Sequence, residues 1–107
     1  MNRQGKRGEI WIVEVNGKRR PVVIVTNDQV VAELDHVIAT VTSKSPRNKY
    51  DVVINYWKEA GLAKPSVVRC TKLNTLHYKE LLFKIGKLAE NDLENVLSTI
   101  RNYFVSS

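Results

Sequence analysis

The chain is poor in the residues that build several classes of site. It holds one cysteine, Cys70, and two histidines, His36 and His77, in 107 residues. One thiol cannot close an internal disulfide, and a four-ligand zinc centre needs more Cys and His than this. A cytoplasmic protein is the expectation. Three prolines and five glycines exclude collagen-like and low-complexity chains. No run of 18 apolar residues occurs, so no membrane-spanning helix is expected. The basic residues 1–7 are not followed by an apolar stretch and a small-residue cleavage site, so no secretory signal is expected. Nucleotide-binding glycine motifs and the H-E-x-x-H motif are missing. Asp28, Glu33 and Asp35 are the nearest approach to a carboxylate cluster, too weak for a magnesium set. Neither a metal nor a cofactor is expected.

What the chain has in excess is positive charge. Seventeen Lys and Arg against eleven Asp and Glu leave +6. A small domain with this balance meets polyanions: RNA, DNA or acidic protein segments. The length is that of one domain, spanning residues 1–107, with enough chain to bury a core.

Short β-branched runs dominate the first three quarters. Glu9-Ile10-Trp11-Ile12-Val13-Glu14-Val15, Pro21-Val22-Val23-Ile24-Val25-Thr26 and His36-Val37-Ile38-Ala39-Thr40-Val41-Thr42 read as strands. Asp51-Val52-Val53-Ile54, Ser66-Val67-Val68-Arg69-Cys70 and Phe83-Lys84-Ile85-Gly86-Lys87-Leu88 add three more. Pro21 can open its strand but is not expected inside one. Asn16-Gly17 is a strong hairpin signal between the first two strands. A short helical turn is possible within residues 77–82. Near the end, Leu93, Val96, Leu97, Ile100, Tyr103 and Phe104 recur at helical spacing and predict an amphipathic helix. Its N-cap falls on Ala89 or Asn91, of which only Asn91 is a good capping residue. The expected fold is mainly β, a small barrel-like antiparallel sheet covered by a C-terminal helix.

Two loops concentrate the charge: Lys18-Arg19-Arg20 before the second strand, and residues 44–49, with Lys44, Arg47 and Lys49, after the third. If the first three strands form a meander, the start of the second neighbours the end of the third. Arg20 then lies near Thr42 and Ser43. A guanidinium beside hydroxyls suits a phosphate; a solvated basic turn is the alternative. His36 and His77 permit an acid–base pair, although each alone reads as a structural residue. Cys70 reads as a small buried hydrophobe.

Residues 7–11, Arg7-Gly8-Glu9-Ile10-Trp11, and residues 17–28, from Gly17-Lys18-Arg19-Arg20-Pro21 to Asn27-Asp28, resemble the opening of the MazF/PemK toxins. These are the toxin halves of bacterial toxin–antitoxin pairs. Residues 37–43 are similar to that family's third strand. Gly61-Leu62, Pro65-Ser66-Val67-Val68-Arg69-Cys70, Leu73-Asn74-Thr75-Leu76 and Lys84-Ile85-Gly86-Lys87-Leu88 continue in the family's order, so that the likeness spans residues 7–104.

The resemblance implies an SH3-like barrel of the CcdB/PemK type with a C-terminal α-helix, acting as a homodimer. It implies a sequence-specific, metal-independent endoribonuclease that cuts single-stranded RNA to 2′,3′-cyclic phosphate and 5′-OH ends, held in check by an acidic, partly disordered antitoxin. The family's catalytic arginine and threonine fall on Arg20 and Thr42. Candidate RNA-binding residues are Lys18, Arg19, Ser43, Lys44, Arg47, Lys49 and Lys72. The chain departs from the family in a short first hairpin loop, in Lys72 and Asn74 where many members have a Gln or acid and an Arg, and in His77 where an Asp is frequent. Two other readings remain at this point: a CcdB-like gyrase poison, and a non-catalytic RNA-binding module.

Overall fold

The computed structural model describes residues 4–29 and 34–105. Glu33, Ser106 and Ser107 lie outside them, as do residues 1–3 of the basic N-terminal stretch. The elements are β1 (Glu9–Val15), β2 (Lys18–Ile24), β3 (Asp35–Thr42), β4 (Asp51–Val53), β5 (Val67–His77), a 3₁₀ turn (Tyr78–Glu80), β6 (Phe83–Lys87) and α1 (Glu90–Val105). This is the expected mainly β fold with one C-terminal helix.

The strands form one sheet in the order β4-β5-β3-β2-β1-β6, antiparallel throughout. β1 to β3 make the expected meander. Asn16 and Gly17 both have positive φ, 51° and 77°, the backbone that a two-residue I′ hairpin turn requires. The ladder does not close, because its two ends, β4 and β6, are not paired. The turn after β4 lies against β6 instead. A Cβ at Gly61 would overlap the Ile85 carbonyl oxygen, and one at Gly86 would overlap the Ala60 carbonyl oxygen. Two glycines therefore let the backbones touch where side chains would hold them apart.

Two local expectations are corrected, and one open alternative is decided. Pro21 is the fourth residue of β2, not its opening residue. It is tolerated because β2 is paired there with β1 alone, opposite Ile12; the ladder to β3 begins at Val22. β5 runs on past Cys70 to His77. Its polar second half escapes an apolar-run reading because it pairs with β3 and leaves much of its surface in solvent. The helix starts at Glu90, and the Ala89 carbonyl accepts its first bond from Leu93 N at 2.9 Å. Asn91 lies inside that first turn. Tertiary contacts override the capping preference: the buried Asp92 carboxylate accepts from Asn55 N (3.1 Å) and Tyr56 N (2.9 Å), pinning α1 to the segment after β4.

Strand alternation sorts the side chains onto two faces. One carries Ile10, Val23, Ala39, Val41, Val68 and Cys70, and packs under Val96, Leu93 and Leu97 of α1. Burying each large aliphatic side chain here contributes about 1.5–3 kcal/mol. The other face carries a smaller cluster of Trp11, Val13, Val22, Ile24 and Ile38, closed by Leu81. That cluster covers only part of its face. The remainder opens into a cavity.

Candidate active site

Cross-strand partners in an antiparallel sheet share a face. Trp11 pairs with Val22, Val22 with Thr40, Thr40 with Arg69, and Arg69 with Asp51. One row thus crosses five strands, from an apolar core at one end to charge at the other. In the next row Val13 pairs with Arg20, and Thr42 with Val67. Arg20 and Thr42 each lie two residues beyond Val22↔Thr40, the last pair of the β2–β3 ladder, and so on the same face as that pair. The two rows therefore put two arginines and two threonines on one patch of sheet.

This patch lines a cavity of about 980 Å³. The first hairpin supplies one wall through Asn16, Arg19 and Arg20; the end of β3 and its following residues supply Thr40, Thr42, Ser43 and Lys44. Ala63, Lys64 and Ser66 close the far side, and Arg69 and Asn74 come from β5. Val13, Pro21, Val22 and Ile38 form an apolar part of the lining. Arg20 is exposed and Thr42 half-buried. Thr42 Oγ1 accepts from Lys44 N at 3.2 Å, so its own hydroxyl hydrogen is left to donate.

Of the residues singled out from sequence, Arg19, Arg20, Thr42, Ser43 and Lys44 meet in this lining; Lys18, Arg47, Lys49 and Lys72 are not part of it. Arg47 is spent on Asp51: its Nε lies 3.0 Å from Oδ2, its Nη2 3.4 Å from Oδ1, and its backbone N 2.9 Å from Oδ2. These bonds hold the Asp51 carboxyl below its ordinary range despite its burial, and the nearby Arg69 charge adds to the effect. The Lys49 ammonium lies 5.2 Å from the Tyr50 ring centroid. Lys72 sits where β5 bulges away from β3, and its carbonyl accepts from Thr40 Oγ1 at 3.4 Å.

The histidines do not meet in the cavity. His36 is fully buried, with Nε2 2.7 Å from the Gln4 carbonyl and Nδ1 3.1 Å from Thr26 Oγ1. His77 caps the 3₁₀ turn: its Nδ1 accepts from Lys79 N, while Glu80 accepts from His77 N. Cys70 is fully buried, and its thiol is pushed up to about 12, chiefly by burial and further by the Asp51 charge. Asp28 accepts from Arg7 N at 2.8 Å. Among the described residues no three His, Cys, Asp or Glu side chains gather as a metal set.

Sequence reading missed Thr40, Lys64, Arg69 and Asn74. Arg69 had a signal: a lone cation within Val67-Val68-Arg69-Cys70, an otherwise apolar strand, is a residue that needs a reason to be there. Its Nε is buried and has no hydrogen-bond partner.

The chain is similar to known toxins in sequence and in fold. The Mycobacterium tuberculosis toxin MazF-mt6 superposes with a TM-score of 0.77 at 28% identity, covering 90% of this chain and 95% of that one. A mycobacterial endoribonuclease solved with its cognate antitoxin reaches 0.84 at 16% identity, covering 96% and 97%. A MazE-MazF complex from Deinococcus radiodurans reaches 0.79 at 15%, covering 96% and 97%. No curated protein sequence matches the chain. The family model for PemK-like, MazF-like toxins of type II toxin–antitoxin systems matches residues 6–104, and the chain belongs to that family.

Proposed function

We propose that this toxin is an endoribonuclease that cuts single-stranded RNA at the cavity, with Arg20 and Thr42 as its catalytic residues. The observation that carries the reading is the convergence of Arg20, Thr42, Thr40 and Arg69 on one sheet face, inside a cavity of about 980 Å³. The name of the mycobacterial endoribonuclease with the same fold agrees with it.

RNA brings its own nucleophile. The 2′-OH attacks the adjacent phosphorus, the P–O5′ bond breaks, and the products are a 2′,3′-cyclic phosphate and a 5′-OH. The 2′-proton leaves, and one proton reaches the departing oxygen. The protein must align the three atoms and stabilise charge on the phosphate. Arg20 and Arg69 supply fixed charge with paired donors. Arginine carries donors and no acceptor, so Arg20 acts as a donor and not as the base. Thr42 supplies a directed hydroxyl. Arg19, Ser43, Lys44 and Lys64 extend the donor surface along the path of the strand.

The same reading includes a homodimer and an acidic antitoxin segment that covers the cavity. For self-association the chain offers the exposed end of α1, where Phe104 is 67% accessible, beside Val37 of β3. For the antitoxin it offers the cations of the cavity wall, which suit an acidic segment that orders on binding.

The test is incubation of the purified chain with a long RNA in EDTA, followed by mapping of the cut ends. Cuts at a short sequence motif with cyclic-phosphate ends support the reading. A gel shift without cuts, or inhibition of DNA supercoiling without cuts, overturns it.

A further inference from the structure

Arg69 and Asp51 stand directly opposite each other on β5 and β4. Opposite charges so placed attract across the strands, and an arginine and a carboxylate that meet can form a forked pair. Here the carboxylate is taken by another arginine. Asp51 Oδ2 accepts from Arg47 N and Nε, and Oδ1 from Nη2. The Asp51 side chain is wholly inaccessible, whereas that of Arg47 is 42% exposed. Three of the carboxylate's roughly four acceptor positions are filled. The Arg69 charge adds, after the bonds to Arg47, to the lowering of the Asp51 carboxyl, yet Arg69 Nε finds no hydrogen-bond partner.

We propose that Asp51 is a positioning residue for Arg69. Locked by Arg47, its carboxylate holds the Arg69 guanidinium against the β3–β5 patch by charge alone, leaving the outer Nη donors free for a phosphate of bound RNA. This rests on the reading of the cavity as an RNA site. Arg47 decides which arginine the carboxylate serves. Attraction through space orients Arg69 without using its N–H groups, while a direct hydrogen bond would consume them. The same lock ties the segment after β3, with Ser43 and Lys44 in the cavity wall, to the start of β4. The role of Arg47 is therefore not to contact RNA but to keep Asp51 occupied.

The decisive comparison is Arg47→Met against the double variant Arg47→Met/Asp51→Asn. Arg47→Met releases the carboxylate one strand away from Arg69. The pair then closes, and kcat falls about tenfold or more, the scale of one lost charge-assisted hydrogen bond. Converting the carboxylate to an amide frees Arg69 again, so the double variant recovers most of the lost kcat. A double variant no more active than Arg47→Met overturns the proposal, and so does a loss of kcat in Arg47→Met that a matching loss of melting temperature accounts for. A second readout is independent of cleavage. The Arg69 Nε–H NMR signal of the wild-type chain should move when a 2′-deoxy oligonucleotide, which has no nucleophile, is added, and should stay still in folded Arg47→Met. A wild type that cuts no RNA but gives this pair of responses overturns the nuclease reading and keeps the positioning role. An oligonucleotide that moves other cavity signals but not Arg69, or none at all, overturns the positioning role.

Discussion

Thr40 of β3 pairs directly with Arg69 of β5, in the lining of the cavity that Arg20 and Thr42 also line. Two guanidinium groups and two hydroxyls thus share one cavity lining. Arg20 is exposed on a hairpin, whereas Arg69 is half-buried within the sheet.

Arg20→Ala is expected to reduce RNA cleavage about 10²–10³-fold, the usual cost of removing one transition-state donor. Its thermal midpoint should stay close to wild type, since exposed substitutions change stability by about 0.5 kcal/mol or less. Thr42→Val should follow the same pattern. End-mapped cleavage and a melting curve on the same preparations check both; a folded Arg20→Ala that cuts normally rejects the assignment.

Binding should weaken with salt by a bounded amount. Arg19, Arg20, Lys44, Lys64 and Arg69 line the cavity, and each phosphate neutralised on a single strand adds about −0.7 to the log–log slope. Three to five contacts give a slope of about −2 to −3.5. A titration with a 2′-deoxy oligonucleotide between low and moderate salt measures it, and Lys49→Ala should leave the slope unchanged.

The histidines separate by location. His77→Gln should keep most of the cleavage rate, because the His77 side chain caps a turn and is not part of the cavity lining. His36→Gln should instead lower the melting temperature: His36 is fully buried and held between Gln4 and Thr26, and a buried group left without its partners typically costs about 1–3 kcal/mol. Loss of cleavage by a stably folded His77→Gln would favour histidine chemistry.

Acid should unfold the chain partly through Asp51 and Glu9. The Asp51 carboxyl is lowered first by its bonds to Arg47, against its burial. Burial would raise Glu9, but the bonds from Trp11, Lys84 and Lys6 outweigh it and lower that group too. A lowered folded pKa gives stabilisation that is complete above the ordinary carboxylate range, near pH 4, and is lost as pH falls through the folded value. The drop in melting temperature between pH 7 and pH 3 should therefore be smaller in Asp51→Asn than in wild type. An equal drop in both would reject this account.

Gly61→Ala should destabilise the fold by at least about 1 kcal/mol. Gly61 has φ of +92°, and the added Cβ would meet the Ile85 carbonyl. Denaturant melts of Gly61→Ala and Gly17→Ala compare a crowded glycine with one whose Cβ would meet nothing within 4 Å. Equal losses would show that backbone conformation alone accounts for the effect.

Local sequence determined the elements wherever one local preference acted unopposed. Asn16-Gly17 dictated the hairpin, β-branched runs dictated β1 to β3, and the apolar stripe from Leu93 to Phe104 dictated α1. The meander then follows from short connections, and it brings Arg20 and Thr42 into the lining of one cavity. Tertiary structure decided what depends on partners distant in the chain. Whether Pro21 opens β2 or lies within it turns on where the β3 ladder begins. The start of α1 turns on Asp92 reaching Asn55 and Tyr56. Arg69 enters the site because β5 inserts between β3 and β4, out of sequence order. Arg47 leaves it because a buried carboxylate claims its donors. A charged loop looks the same in sequence whether its cations face a ligand or a carboxylate; only the packing of the chain around each group settles which acceptor it meets.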